Sequence, residues 1–269
     1  MAKRDDGWHP TLLDLDEPAT EKELNELVDA GAIAFDAESN TVNKQIKIYV
    51  LTTMNKERVE FMKQLLKDVN FEFVESLCTE ALKELEAKYA RKSLCYRKKA
   101  LMLGEFGAFK AHAMAWERIA KSGEAGIIIE DSAAFVRDAS ILLSDEVRNQ
   151  INNCGLVFFT DYEFKLHPDR PTLFSDVPLR KAFPIRCYGI TPRRANVLLS
   201  MLNKTGMVLP VDRWMGTPKL SGLFGFVSNI GVAIRRSNAT SIANVRRGKA
   251  SFNPLNLIFR AINKLKYQY

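Results

Sequence analysis

Cysteine, long apolar runs and phosphate-binding loops are all scarce in this chain, and each shortage narrows what it can be. The four cysteines, Cys78, Cys95, Cys154 and Cys187, stand far apart with no CxxC pair and no histidine pairing. That spacing suggests neither a zinc site nor a disulfide framework, and a reducing compartment is expected. No segment reaches the roughly eighteen uninterrupted apolar residues of a membrane span. The opening stretch carries Lys3, Arg4, Asp5, Asp6, Asp14, Asp16 and Glu17 where a signal peptide would be apolar, so the expectation is a cytosolic protein, neither secreted nor spanning. No GxGxxG follows a first strand and no GxxxxGK[ST] is present, which argues against a Rossmann dehydrogenase and a P-loop NTPase. Helix-turn-helix, zinc-finger and RNP patterns are missing too, and the basic tail lacks interleaved aromatics, so no nucleic-acid partner is expected.

Acidic residues are missing altogether from the C-terminal end. After Asp212 ten Lys or Arg follow without one Asp or Glu. The net charge of +7 therefore hides an asymmetry, because the first 212 residues hold 29 basic against 32 acidic side chains. Basic tails of this kind favour phosphates, anionic lipid headgroups or nucleic acid.

What is present is enough for a sizeable core, with 46% hydrophobic residues in a chain of 269. Residues 1–44 are acidic, polar and weakly periodic, with one short helix expected from Thr20 through EKELNELVDA; they read as an appendage. From Ile46 the pattern changes. IKIYVLT is a β-branched apolar run, KERVEFMKQLLKDV places Val59, Met62, Leu65, Leu66 and Val69 at helical spacing, and FEFVES reads as a second strand. A helix through GEFGAFKAHAMAWERIAKS, a strand GIIIED, a helix near SILLSDEVRNQIN, strands GLVFFTD and IRCYGIT, and a helix PRRANVLLSMLNK follow. Strands such as GIII and LVFF lack alternation, as expected when helices cover both sheet faces. The reading is an α/β fold with a mostly parallel central sheet flanked by helices, divided into an appendage at 1–44, a core at 45–215 and a basic segment at 216–269.

The most informative chemistry is at Glu130 and Asp131, which end GIIIED and so emerge where ligands bind in α/β sheets. Adjacent acids there can hold a divalent cation such as Mg²⁺ or Mn²⁺ against a diphosphate. The alternative is a pair of strand-end acids that cap the next helix or face solvent.

Five segments in order then carry a likeness: KIYVLTTMNKERVEFM with Arg58; LMLGEFGAFKAHAMAWERI with Gly104, Glu105, Gly107, His112 and Trp116; IIIEDSAAF; YGITPRRANVLL; and PVDRWM. Together, over roughly Ile46 to Asp212, they resemble glycosyltransferase family 25, the lipooligosaccharide and collagen galactosyltransferase group. The resemblance implies a GT-A-like fold and a bacterial enzyme taking a nucleotide sugar, UDP-galactose foremost, to a cell-surface glycan acceptor. It places a metal at Asp131 and Glu130 and implies that Glu105 and His112, which share a helical face, line the substrate cleft. Without it, Glu105 is a first-turn acid and His112 a hydrogen-bonded helix residue. Two departures stand out. Ser132 replaces the second Asp of the family's acidic motif, a neutral ligand for a hard cation that leaves any metal to Asp131, Glu130 and the donor phosphates. Ala108 and Ala111 stand where Cys and Ser are usual, either as packing differences or as marks of a catalytically degenerate binding protein on the same fold; a transferase with another nucleotide-sugar donor is the further alternative.

Asp212 is the candidate base for the acceptor hydroxyl, by resemblance and chemistry together, with metal binding or acceptor orientation as alternatives. Trp214 offers a flat platform for a sugar ring or is an ordinary core aromatic. Asp161, at the end of GLVFFTD, has the address of a ligand contact. At the C-terminus Asn253 and Pro254 start a helix whose Leu255, Ile258, Phe259, Ile262 and Leu265 share one face and whose Asn256, Arg260, Asn263 and Lys264 share the other. With Arg246, Arg247 and Lys249 upstream, it reads either as an interfacial helix on an anionic membrane leaflet or as a helix packed back on the core.

Overall fold

The computed structural model describes residues 46–160, 170–173, 185–222, 225–235, 258 and 261–264. The chain opens with strand β1 (Lys47–Thr52), helix α1 (Lys56–Leu65) and strand β2 (Phe71–Glu75). Asn55 starts α1 by accepting the Arg58 backbone N–H on its side chain, which satisfies one of the orphan donors of a first turn. Helices α2 (Thr79–Ser93) and α3 (Leu103–Ser122) then lead to strand β3 (Gly126–Glu130). Gly123 closes α3 in the left-handed region, at φ 68°, where a side chain would be strained.

Strand β4 (Ala133–Phe135), a 3-10 turn over Ala139–Leu143, helix α4 (Asp145–Cys154) and strand β5 (Leu156–Phe158) continue the chain. After β6 (Thr172–Leu173) come β7 (Cys187–Ile190) and α5 (Pro192–Thr205), which Thr191 caps and Pro192 opens. Two short helices, α6 (Val211–Met215) and α7 (Pro218–Ser221), precede β8 (Phe226–Val227) and β9 (Ala233–Arg235).

Seven strands form the main sheet in the order β2-β1-β3-β7-β5-β8-β6, and β4 pairs with β9 in a small second sheet. Five of the seven run in one direction; β7, wedged between β3 and β5, and β6 at the edge run against them. The mostly parallel sheet expected from the sequence is what forms, with a reversed strand at its centre. β8 pairs with β5 in the main sheet, so the folded unit continues past the boundary expected at 215.

Helices cover both faces. On one, Phe106, Phe109 and Trp116 of α3 and Leu198 of α5 pack on Tyr49, Ile128 and Tyr188. On the other, Met62 and Leu66 with Val147 and Ile151 of α4 pack on Ile48, Val50, Ile127 and Ile129. Neighbouring residues of β3 thus enter opposite cores, which is why GIII shows no polar alternation. The chain runs from β1 outward to β2, then returns through α2 and α3 to β3 on the other side of β1. That reversal opens a crevice beyond the strand ends of β1 and β3.

Candidate functional site

A cavity of about 580 Å³ occupies this crevice. Its walls come from the ends of β1 and β2, the first three turns of α3, the end of β3 and the start of α6. Helix α3 turns its small residues to the opening, since Gly104, Gly107, Ala108 and Ala111 all line it. At Gly107 a methyl group would come within 3.0 Å of the Ser76 hydroxyl and 3.4 Å of Leu82, so a larger residue there would crowd the wall.

Asp131, just beyond β3, is buried. Its Oδ1 accepts a hydrogen bond from Arg58 Nη1 at 2.8 Å, and its Oδ2 accepts one from the Thr52 hydroxyl at 3.0 Å. Arg58 comes from the first turn of α1 and Thr52 from the last residue of β1, so one carboxylate ties together three elements of the crevice.

Glu130 belongs to a different chain of contacts. Fully buried His112 places Nε2 3.4 Å from Glu130 Oε1 and Nδ1 2.9 Å from the Tyr188 hydroxyl. Trp116 Nε1–H donates to the same hydroxyl at 2.8 Å. The Trp116 N–H occupies one lone pair of the Tyr188 oxygen, and Nδ1 is the acceptor within reach of the phenol's own proton. A neutral His112 then holds its proton on Nε2, aimed at Glu130. Ser132 donates to the other Glu130 oxygen at 3.1 Å. Burial pushes the Glu130 carboxyl up, but the hydrogen bonds from His112 and Ser132 and the Arg186 charge hold it below the ordinary range. Burial also drives the Tyr188 hydroxyl well above the usual tyrosine value, so it stays a neutral donor.

Asp212, in the first turn of α6, reaches the cavity from the far side. Its Oδ1 accepts the Arg213 backbone N–H at 2.8 Å. Burial raises its pKa first, and the charges of Glu130 and Glu105 add to that, against the opposing effects of Arg213.

The remaining expectations divide. Glu105, expected in the cleft wall, instead accepts Arg97 Nη1 at 2.7 Å and the Met102 N–H at 2.8 Å. It caps α3 and does not line the cavity. Trp214, expected as a sugar platform, is fully buried. Its ring stacks on Trp116 with centroids 6.1 Å apart, and its N–H donates to Thr205; it is the core aromatic of the alternative reading. Asp161 lies outside the described residues. Thr52, Ser76, Arg186 and Tyr188 belong to the site or its support; Thr52 and Tyr188 stand in segments that carried the likeness, but none of the four was singled out as a site residue. Arg186 and Tyr188 lie in IRCYGIT, which was expected to be a strand; its place beside β3 is a finding of the structure.

The expected divalent cation finds no cradle here. Among the described residues no three His, Cys, Asp or Glu side chains converge as ligands. Both Asp131 oxygens are taken by Arg58 and Thr52, and both Glu130 oxygens face His112 and Ser132. The residues present do not fit a preformed metal site, in keeping with the serine at position 132.

Among known proteins, residues 45–169 match the family model described as Glycosyltransferase family 25 (LPS biosynthesis protein), whereas no curated protein matches the chain. The matched segment runs from β1 to beyond β5 and contains Arg58, His112, Glu130, Asp131 and Ser132, while Asp212 lies outside it. The strand ends of β1, β2 and β3 and the acids Glu130 and Asp131 all fall within that segment, so the likeness to the glycosyltransferase family 25 model covers this side of the crevice, while Arg186 and Asp212 close it from outside the match.

Proposed function

We propose that this protein transfers a sugar from a nucleotide donor, UDP-galactose foremost, to a hydroxyl of a lipooligosaccharide-type glycan, in the crevice at the ends of β1 and β3. One observation carries the reading. Asp212, from a helix outside the matched segment, faces the same cavity as Glu130 and Asp131, so a base candidate meets the strand-end acids from the opposite wall.

In this reading the acceptor hydroxyl attacks the anomeric carbon and gives its proton to an Asp212 oxygen as the bond to the departing diphosphate breaks. A carboxylate with a raised pKa is a better base than an ordinary aspartate, provided it remains ionised at the working pH. Arg58 and Arg186 line the cavity and supply positive charge for the diphosphate, with Asp131 fixing the Arg58 guanidinium in place. His112 and Ser132 hold Glu130 ionised and oriented at the mouth of the crevice.

The first test is calorimetric titration with UDP, UDP-galactose and other nucleotide sugars, with and without Mn²⁺. Selective binding of one donor supports the reading and names the substrate, and its metal dependence decides whether a cation joins the donor. Absence of binding to every nucleotide sugar under both conditions would overturn it.

A further inference from the structure

Between Glu86 and Glu105 the chain carries Lys88, Arg91, Lys92, Arg97, Lys98 and Lys99 and no acid. This run ends α2 and forms the connector to α3. Lys88, Arg91, Lys92, Lys98 and Lys99 are exposed, while Arg97 is drawn inward to Glu105. The other acid-free stretch, after Asp212, returns to the same place, because Asn263 Nδ2 donates to the Cys95 carbonyl at 2.9 Å. The described turn over residues 261–264, with Lys264 exposed, therefore lies against the basic connector.

The orientation of the returning helix is informative. Its polar residue Asn263 is turned toward the body, while Ile258 and Ile262, one turn apart, are 58% and 52% exposed. Large apolar side chains this open are few among the described residues; Met54 and Val136 are the others. A surface helix ordinarily does the reverse, burying its apolar stripe. Outward isoleucines beside a cluster of lysines and arginines match what a bilayer with anionic headgroups presents, hydrocarbon within a negatively charged surface.

We propose that the α2–α3 connector and the C-terminal helix together form a docking face for an anionic lipid surface. It rests on the transferase reading in one respect. The connector runs straight into α3, whose Gly104 lines the cavity, so docking holds the crevice next to the bilayer, where a lipid-carried acceptor is presented.

The test is cosedimentation of the full chain with vesicles of phosphatidylcholine alone and of three parts phosphatidylcholine to one part phosphatidylglycerol. Each basic residue near such a surface contributes roughly fivefold to partitioning. The wild type is expected to bind the anionic vesicles at least tenfold better than the neutral ones. Replacing Arg91, Lys92, Lys98 and Lys99 together by Gln, with Arg97 kept, is expected to remove most of that binding. Ile258→Ser with Ile262→Ser is expected to weaken it several-fold. Circular dichroism and UDP titration on the same samples show that fold and crevice are intact. Equal binding to both vesicles, no binding to either, or wild-type binding by the connector variant would overturn the proposal. So would carbodiimide crosslinks, in lipid-free protein, joining Lys98 or Lys99 to carboxylates of residues 1–44, which would give the face to the chain's own acidic segment. For the wild type, absence of binding to anionic vesicles with donor binding intact counts against the docking face alone, and vesicle binding without donor binding counts against the transferase reading alone.

Discussion

Glu130 and Asp212 share one cavity and are pushed in opposite directions. The folded pKa of Glu130 lies below its unfolded value, so its stabilising contribution is complete above the unfolded value and fades as the pH falls toward the folded one. For Asp212 the folded pKa lies above the unfolded value. The folded chain then holds its proton more tightly, and stability is lost as the pH rises through that window. Asp212→Asn is therefore expected to abolish transfer, leave donor binding in place and raise the melting temperature at neutral pH. The gain should shrink as the pH falls into the ordinary aspartate range, which thermal unfolding at pH 7 and at pH 3 to 4 checks. Transfer should also fall on the acid side at a pH above the ordinary Asp value, seen in the kcat profile. A second outcome concerns Tyr188, whose hydroxyl links Trp116 to His112. Tyr188→Phe leaves a buried indole N–H and Nδ1 unpartnered and should cost about 1–3 kcal/mol in urea unfolding. Nitrogen NMR of His112 should show the loss of a single Nε2–H tautomer.

At the scale of elements, the central sheet depends on a close approach. Gly189 in β7 leaves room for Ile151 of α4, and a methyl group there would collide with the Ile151 side chain and come within 3.2 Å of Phe159. Gly189→Ala should destabilise by at least about 1–3 kcal/mol, and Ile151→Ala in the same chain should cost less than the two changes added, measured by chemical unfolding as a double-mutant cycle. The elements themselves were largely legible. β1, α1, β2, α3, β3, α4, β5, β7 and α5 lie where apolar runs and periodicity place them. Helix α2 was not read: its hydrophobic faces are only half buried, Leu82, Leu85 and Tyr89 among charges. β6, β8 and β9, two or three residues each, are too short for any period to register. The reversed direction of β7 also escaped, since a buried strand reads the same in either sense. Of the residues lining the cavity, Glu130, Asp131, His112 and Asp212 had been singled out by position and resemblance. The Arg58–Asp131 pair and the Trp116–Tyr188–His112 chain span 73 and 76 residues, and only the folded topology brings such partners together. Glu105 and Trp214 went elsewhere because a helix start needed a cap and a core needed an indole.

At the scale of the molecule, charge and catalysis are laid out separately. The crevice carries both signs, with Glu130, Asp131 and Asp212 facing Arg58 and Arg186, whereas the connector face is basic alone. Among the described residues no helix is long and apolar enough to cross a membrane, and the hold on a bilayer proposed above is one of surface contacts. Such contacts are screened by salt, with a Debye length of about 8 Å at physiological ionic strength. Vesicle binding should accordingly fall steeply between 50 and 500 mM NaCl while UDP binding in the enclosed crevice falls less, a contrast that parallel titrations can measure. The wedged strand has a further consequence, for synthesis. β3 lies between β1 and β7, and its β7 partner, Cys187–Ile190, leaves the ribosome some sixty residues after Gly126–Glu130. Until then the growing chain shows an unzipped edge of three isoleucines, the part of the nascent protein that a chaperone would have reason to cover.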